Sequence, residues 1–318
     1  MPEPRPPGEF SNGSVATVGT FDGVHRGHWA LIRHVVEAAR SARRPAVLVT
    51  FDPHPLRIVR PDDAPPLLTT AEEKIEVLAE SGLDYALFLR FDRAVAAMTP
   101  REFVERILVG RVGVSRLVIG YDHGFGRDRS GGVDTLRELG AVFGFEVDVI
   151  EPVGADAPVS STRIRAALAR GDVAAAAHGL ARPYSLRGHV VRGDGRGRTL
   201  GFPTANLEIH DPAKLVPLEG IYAVRAALPG RLADGVLHIG PRPTFPGAGP
   251  TIELHLFDFD GDLYGRPVTV FFCERLRAVE SFASVPELVT AMESDCAAAR
   301  RLFAEGAGAC GSTGIAVD

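Results

Sequence analysis

The first 150 residues alternate short, uniformly apolar runs with longer stretches of helical periodicity. Val15–Gly19, Ala46–Thr50, Tyr85–Leu89, Leu117–Gly120 and Phe145–Ile150 read as strands. Between them Trp29–Arg40, Ala71–Glu80, Pro100–Val109 and Gly132–Phe143 read as helices, with Pro100 suited to a first helical turn. The strands are apolar throughout rather than alternating, as strands covered on both faces should be. Such alternation predicts a doubly wound parallel sheet with helices on both sides.

Two more helical stretches follow, Ser161–Arg170 and Asp172–Gly179, with Asp172 placed to cap the second. At Arg182–Pro183 the pattern changes. Ser185–Val191, Ile221–Ala227, Gly235–Ile239, Thr251–Phe257 and Val268–Phe272 read as strands without intervening helices. That run predicts an antiparallel β-barrel, closed by one amphipathic helix over Val285–Phe303. The expected division is therefore an α/β domain over residues 1–180, a barrel domain over 181–305 and a disordered tail over 306–318.

Composition narrows the function. Of 318 residues, 45% are hydrophobic and 24% charged, which suits two soluble globular domains. The formal net charge of -5 excludes a nucleic-acid binder held by bulk positive charge. Lysine occurs only at Lys74 and Lys214, neither in a GxxxxGK[ST] loop, so a P-loop nucleoside triphosphatase is excluded. Three cysteines, Cys273, Cys296 and Cys310, are few, odd in number and not in metal spacing, so neither a disulfide nor a zinc site is expected. The Pro-rich start lacks an apolar signal core and no stretch approaches a membrane span, so the expected location is cytoplasmic.

Chemistry concentrates in a few segments. Thr17–His28 (TVGTFDGVHRGH) leaves the first strand through Gly19, Phe21, Asp22 and Gly23 and enters a helix at His25 and His28. Glycines let the backbone approach a ligand there, and a helix start presents free N–H groups to an anion. Two imidazoles in HxGH spacing can both turn to one phosphate. Val49–Pro55, with Phe51, Pro53 and His54, follows the second strand, where α/β sheets place binding loops. Gly120–Gly126, with Asp122 and His123, follows the fourth. Ser161, Thr162, Arg163 and Arg165 open a helix and could clamp a polyphosphate. In the second half, a strand runs into a glycine-rich loop with Gly195 and Gly201 and on to Pro203-Thr204-Ala205-Asn206. Thr204 and Asn206 alternate about Ala205, so an extended chain aims two oxygen ligands one way, a set suited to Mg²⁺. Glu253 is the one carboxylate in its predicted strand.

These motifs, in this order, resemble the bacterial bifunctional riboflavin kinase/FAD synthetases. The HxGH segment alone resembles the wider nucleotidylyltransferase superfamily; its combination with SSTRIR and PTAN is specific. The resemblance implies that riboflavin is phosphorylated to FMN by a small Greek-key barrel and FMN adenylylated to FAD by the α/β domain. ATP and Mg²⁺ are implied for both. It implies that His25 and His28 stabilise the transferring phosphates and that the Ser161–Arg165 segment holds the pyrophosphate end. Gly19, Phe21, Asp22, Gly23, Gly195 and Gly201 would border nucleotide, and Phe51, Pro53 and His54 flavin. Thr204 and Asn206 would hold the metal. Glu253 would take the proton of the riboflavin 5′-hydroxyl, or serve the metal. Arg277 would shape the flavin site, or form a surface ion pair. The chain departs from the family at Asp122-His123, where many members have Asn-Phe; Asp122 can accept from a ribose hydroxyl or help hold Mg²⁺ but cannot donate as an amide does.

Two other readings compete. One is a nucleotidylyltransferase for pantetheine phosphate or nicotinate mononucleotide, which leaves the PTAN barrel without a task. The other is a flavin-binding regulatory protein, against which intact His25, His28, Thr204, Asn206 and Glu253 argue.

Overall fold

A computed structural model describes residues 10, 12–121, 124–127, 130–151, 159–193, 196–228, 230–241, 250–306, 308 and 310. Asp122, His123 and Gly195 lie outside the described residues. The chain divides into two compact units, Met1–Ser160 and Ser161–Asp318.

The first unit runs β1 (Ser14–Val18), α1 (Arg26–Ala42), β2 (Ala46–Asp52), α2 (Pro55–Val59), α3 (Ala71–Ala79), β3 (Tyr85–Arg90), α4 (Arg93–Ala96), α5 (Pro100–Phe103), β4 (Val114–Gly120), α6 (Val133–Phe143) and β5 (Glu146–Ile150). Among the described residues the five strands form one sheet in the order β3-β2-β1-β4-β5, and every pairing is parallel. Period-two alternation sends each strand's residues to two different cores. Ala16, Val18, Val47, Val49, Leu117 and Ile119 pack with Phe103, Leu108 and Leu136 on one face. Val15, Ala46, Leu48 and Val118 pack on the other with Ile32 and Val35 of α1. The three central strands β1, β2 and β4 are covered on both faces as expected, whereas β3 and β5, at the two edges of the sheet, are only partly buried.

The helix expected over Pro100–Val109 is in two parts. A capping box between Thr99 and Glu102 starts α5, and a π-helical stretch, Val104–Val109, follows. Amphipathic spacing is too coarse to reveal that change of hydrogen-bond step.

The second unit begins with α7 (Ser161–Ala169) and α8 (Val173–Leu180). It continues through β6 (Ser185–Val191), α9 (Arg196–Thr199), β7 (Ala205–Glu208), β8 (Gly220–Leu228), β9 (Arg231–Gly240), β10 (Thr251–Leu256), β11 (Pro267–Arg277) and α10 (Val285–Ala304). Six of these strands close a barrel in the order β10-β7-β6-β11-β8-β9, with every pairing antiparallel. Leu237, Ile239, Ile252 and Leu254 are buried, while His238, Thr251 and Glu253 between them are half-covered. That alternation separates a filled interior from an outer face. Ile221, Ala223 and Val236 pack with Ala299 of α10.

The contacts group α7 and α8 with the barrel, not with the sheet. Asp172 caps α8 as expected, accepting from Ala175 N–H at 2.9 Å. The Leu218 N–H reaches Leu168 O at 3.0 Å. The expectation of no disulfide is overturned: Cys273 and Cys310 are joined, closing a separation of 37 residues. Spacing rules miss such a pair because it forms only where the chain after α10 folds back onto β11. There Arg225 Nη1 donates to Cys310 O at 3.1 Å. Gly306, Gly308 and Cys310 of the expected disordered tail are therefore placed; 307, 309 and 311–318 lie outside the described residues.

Candidate functional site

In the first unit the order β3-β2-β1-β4-β5 puts the topological switch point between β1 and β4. Ligands of open α/β sheets bind at the carboxyl ends of strands there. The segment Gly19–His28 leaves β1 at that edge, and Phe51, Pro53 and His54 leave β2 beside it. Gly19 N–H donates to Val49 O at 3.0 Å, which binds the two exits together.

His25 and His28 form a reciprocal cap on α1. Each Nδ1 accepts the other's backbone N–H at 3.3 Å, and the rings stack with centroids 3.6 Å apart and 13° between planes. With both Nδ1 atoms accepting, each neutral ring carries its proton on Nε2. Two Nε2–H donors thus leave one stack at a helix start, where backbone N–H groups and the helix dipole already favour an anion. Phe21, 1% exposed, lies under His28 at 4.9 Å. Phe21 and Val24 both take positive φ, 47° and 40°. Such backbone is costly for bulky or β-branched residues and clusters at functional sites.

Asp22 turns inward. It is 2% exposed, and its carboxylate accepts from Leu68 N–H at 3.0 Å and Thr69 N–H at 3.0 Å. Gly23 N–H donates to Thr69 Oγ1 at 3.0 Å. These contacts make Asp22 the residue that ties the loop down. Lys74, buried, supports the loop from below by donating to Thr20 O at 2.7 Å. Burial holds its ammonium below the ordinary lysine pKa, against the pull of Asp22 and Asp52. Sequence reading gave Lys74 no role, because its burial depends on where α3 packs.

Phe51 meets Phe91 and Phe103 with centroids 5.3 and 6.3 Å away. Pro53 follows a cis peptide, and His54 caps α2 by accepting from Leu56 N–H at 3.2 Å. In the second unit Ser161, Thr162, Arg163 and Arg165 occupy the first turns of α7, with Thr162 and Arg163 exposed.

The barrel gathers a second set. Asn206 on β7 lies directly opposite Glu253 on β10. Thr204 Oγ1 donates to Glu253 Oε2 at 3.4 Å. A Cβ on Gly193 would lie 2.0 Å from Asn206 Nδ2, so a side chain there would displace the amide. Gly201 follows α9 with φ +85°. Hydroxyl, amide and carboxylate oxygens converge here, and hard oxygen donors are what Mg²⁺ takes while keeping water and phosphate ligands. The donor set fits. Among the described residues no group of three or more His, Cys, Asp or Glu offers a different metal site.

Arg277 is fixed rather than mobile. Nε and Nη2 grip Asp295 of α10, both at 2.8 Å, which raises the guanidinium pKa further. Its guanidinium also lies 5.7 Å from the Phe282 ring.

Residues 8–163 match the family described as FAD synthetase, and residues 180–303 the family described as riboflavin kinase. A bifunctional riboflavin kinase/FMN adenylyltransferase of Pseudomonas fluorescens is 42% identical over 297 residues, covering 93% of this chain and 94% of that protein. Its counterpart in Escherichia coli K12 is 40% identical over 293 residues, covering 92% and 93%. A Streptococcus pneumoniae crystal structure titled a macrolide-efflux protein aligns with TM-score 0.81 and 33% identity, over 89% of this chain and 92% of that one. Among the described residues here, no helix is long and apolar enough to cross a membrane. A parallel sheet with a stacked histidine pair, a closed barrel with a Thr204–Asn206–Glu253 cluster, and this likeness over nearly the whole length agree: the chain belongs to the bifunctional riboflavin kinase/FMN adenylyltransferase family.

Proposed function

We infer that this chain phosphorylates riboflavin to FMN with ATP and then adenylylates FMN to FAD, releasing pyrophosphate. The observation that carries the reading is the presence in one chain of two distinct side-chain clusters, each suited to phosphate chemistry. One is the His25/His28 stack on α1, and the other the Thr204–Asn206–Glu253 cluster on the barrel.

In the barrel, Glu253 takes the proton of the riboflavin 5′-hydroxyl as that oxygen bonds to the γ-phosphorus and ADP leaves. A placed carboxylate base is suited to this transfer. Thr204 and Asn206 would hold Mg²⁺, which would offset phosphate charge when bound with ATP. In the first unit, an oxygen of the FMN phosphate attacks the α-phosphorus of ATP, and the bond to pyrophosphate breaks. No protein nucleophile is needed, so positioning and charge stabilisation supply the rate. The Nε2–H groups of His25 and His28 donate to the reacting phosphates. Gly19, Phe21 and Gly23 shape the nucleotide loop, with Asp22 holding it down; Phe51, Pro53 and His54 border the flavin. Ser161, Thr162, Arg163 and Arg165 bind phosphate oxygens. Asp122, Gly195 and Gly201 border nucleotide, and Arg277 borders the flavin of the kinase.

The division of activities falls near Ala181, with residues 1–180 serving adenylylation and 181–305 the kinase. A cytoplasmic location and small-molecule partners only, with neither nucleic acid nor membrane, complete the reading.

The test is the purified protein with riboflavin, ATP and Mg²⁺. FMN should appear first and FAD after it, with pyrophosphate released in step with FAD. Adenylylation of pantetheine phosphate or nicotinate mononucleotide in place of FMN would transfer the first unit to another nucleotidylyltransferase class.

A further inference from the structure

The barrel's register lines up five side chains that no single stretch of sequence brings together. Asn206 lies opposite Glu253, Glu253 opposite His238, His238 opposite Ile221 and Ile221 opposite Arg277. Directly paired residues share a face, and here it is the outer one, since Leu237, Ile239, Ile252 and Leu254 fill the interior. Ile221 packs with Ala299 of α10, and Arg277 grips Asp295 of the same helix. Two register shifts near the end of β11 bring Arg277 into this row.

On the reading above, the row meets the reacting 5′-hydroxyl at Glu253, next to its Asn206 end, and borders the flavin ring at its other end, Arg277. What joins those two parts of riboflavin is the ribityl chain, a run of hydroxyl-bearing carbons. His238 stands between them, one strand from Glu253 and two from Arg277. We propose that His238 binds the ribityl hydroxyls and selects riboflavin by its polyol chain.

The chemistry suits that task. A neutral imidazole offers one donor and one acceptor, matching a hydroxyl, which does both. Burial holds His238 below the ordinary histidine pKa and favours the neutral ring; Arg277 acts the same way, while Glu253 and Glu219 oppose it. The Nε2–Cε1 edge of the ring lies against Gly240, two residues on along β9. A Cβ there would stand 2.5 Å from Nε2 and 2.6 Å from Cε1. Any other residue at 240 would push the imidazole aside, so Gly240 sets its position.

The assignment rests on the kinase reading, and two variants of the full chain test it separately from that reading. His238→Leu removes both hydrogen-bonding atoms, and Gly240→Ala displaces the ring while keeping it. Kinase turnover gives KM for riboflavin, and competitive inhibition by lumichrome, a flavin without the ribityl chain, gives Ki at the same site. Loss of one or two net hydrogen bonds should raise KM about tenfold in each variant, with lumichrome Ki unchanged within about twofold. His238→Gln, which still donates and accepts, should recover most of the affinity. KM and Ki rising together, or KM not moving in either variant, would overturn the assignment. Should His238→Leu not fold, Gly240→Ala decides alone, because it keeps every side chain of the row. A wild-type protein that made no FMN would instead refute the kinase reading itself.

Discussion

His28 caps α1 in this structure and is proposed to donate to phosphate, and the two tasks can be separated. Its Nδ1 accepts the His25 N–H and so closes half of the cap on α1. Its Nε2–H is the donor assigned to the phosphates. His28→Ala removes both. Loss of the cap should lower stability by about 1 kcal/mol. Loss of one placed donor to a phosphate in the transition state should slow FAD formation roughly 10²- to 10³-fold. His28→Gln separates the effects, because glutamine at the third helical position reaches back to the N-cap N–H. It should restore most of the stability yet leave FAD formation slow, since its amide cannot occupy the stacked position over Phe21. The assays are denaturant unfolding of each variant, FAD production from supplied FMN, and FMN production from riboflavin as the control for the second unit. If FAD formation returned in step with stability in His28→Gln, the histidine would be a cap and nothing more. Equal loss of FMN and FAD production in His28→Ala would likewise refute the reasoning, because the barrel does not use this residue.

Other expectations follow from the same geometry. Glu253→Gln should cut kinase turnover by about 10² to 10⁴ with little change in riboflavin affinity, while FAD still forms from FMN; recovery at high Mg²⁺ would make Glu253 a metal ligand, and near-normal turnover would remove it from the mechanism. Lys74 holds a proton less readily folded than unfolded, so stability should rise with pH from its lowered folded value up to the ordinary 10.5. Lys74→Met should flatten that rise in denaturant unfolding measured between neutral and alkaline pH; an unaltered slope would show that another group causes it. Chains starting at Ser161 and at Ala181 should both convert riboflavin to FMN, and the shorter should unfold at lower denaturant because it lacks α7 and α8. A folded, nucleotide-binding chain from Ala181 that made no FMN would move the functional boundary towards Ser161.

Much of this architecture was legible in the sequence because its signals are local. Runs such as Ala46–Thr50 are apolar throughout, and the structure covers both faces of β2. HxGH before a helix points to phosphate and the Thr204–Asn206 alternation in PTAN to a metal by local spacing, whereas the role expected of Glu253 comes from the family resemblance. What stayed hidden depends on distant partners. β7, Ala205–Glu208, is four residues long with polar Asn206 and Glu208, too short for a period to register. α7 and α8 look like a continuation of the α/β pattern, yet their packing puts them with the barrel. Cys273 and Cys310 meet only once the chain turns back after α10. Asp22 has the position of a ligand-binding loop residue, but the backbone of Leu68 and Thr69 takes its carboxylate. His238 belongs to the Glu253 row only through the pairing of β9 with β10, which alternation along either strand does not determine.

The central claim is that one chain performs two different transfers from ATP. Phosphorus labelling tests it most directly. The wild-type protein would be given riboflavin, Mg²⁺ and ATP labelled at either the γ- or the α-phosphorus, and the flavins separated over time. The account predicts that γ-label enters FMN and persists in FAD, whereas α-label appears only in FAD. Label from the α-position in FMN, or FAD formed without α-label, would contradict it.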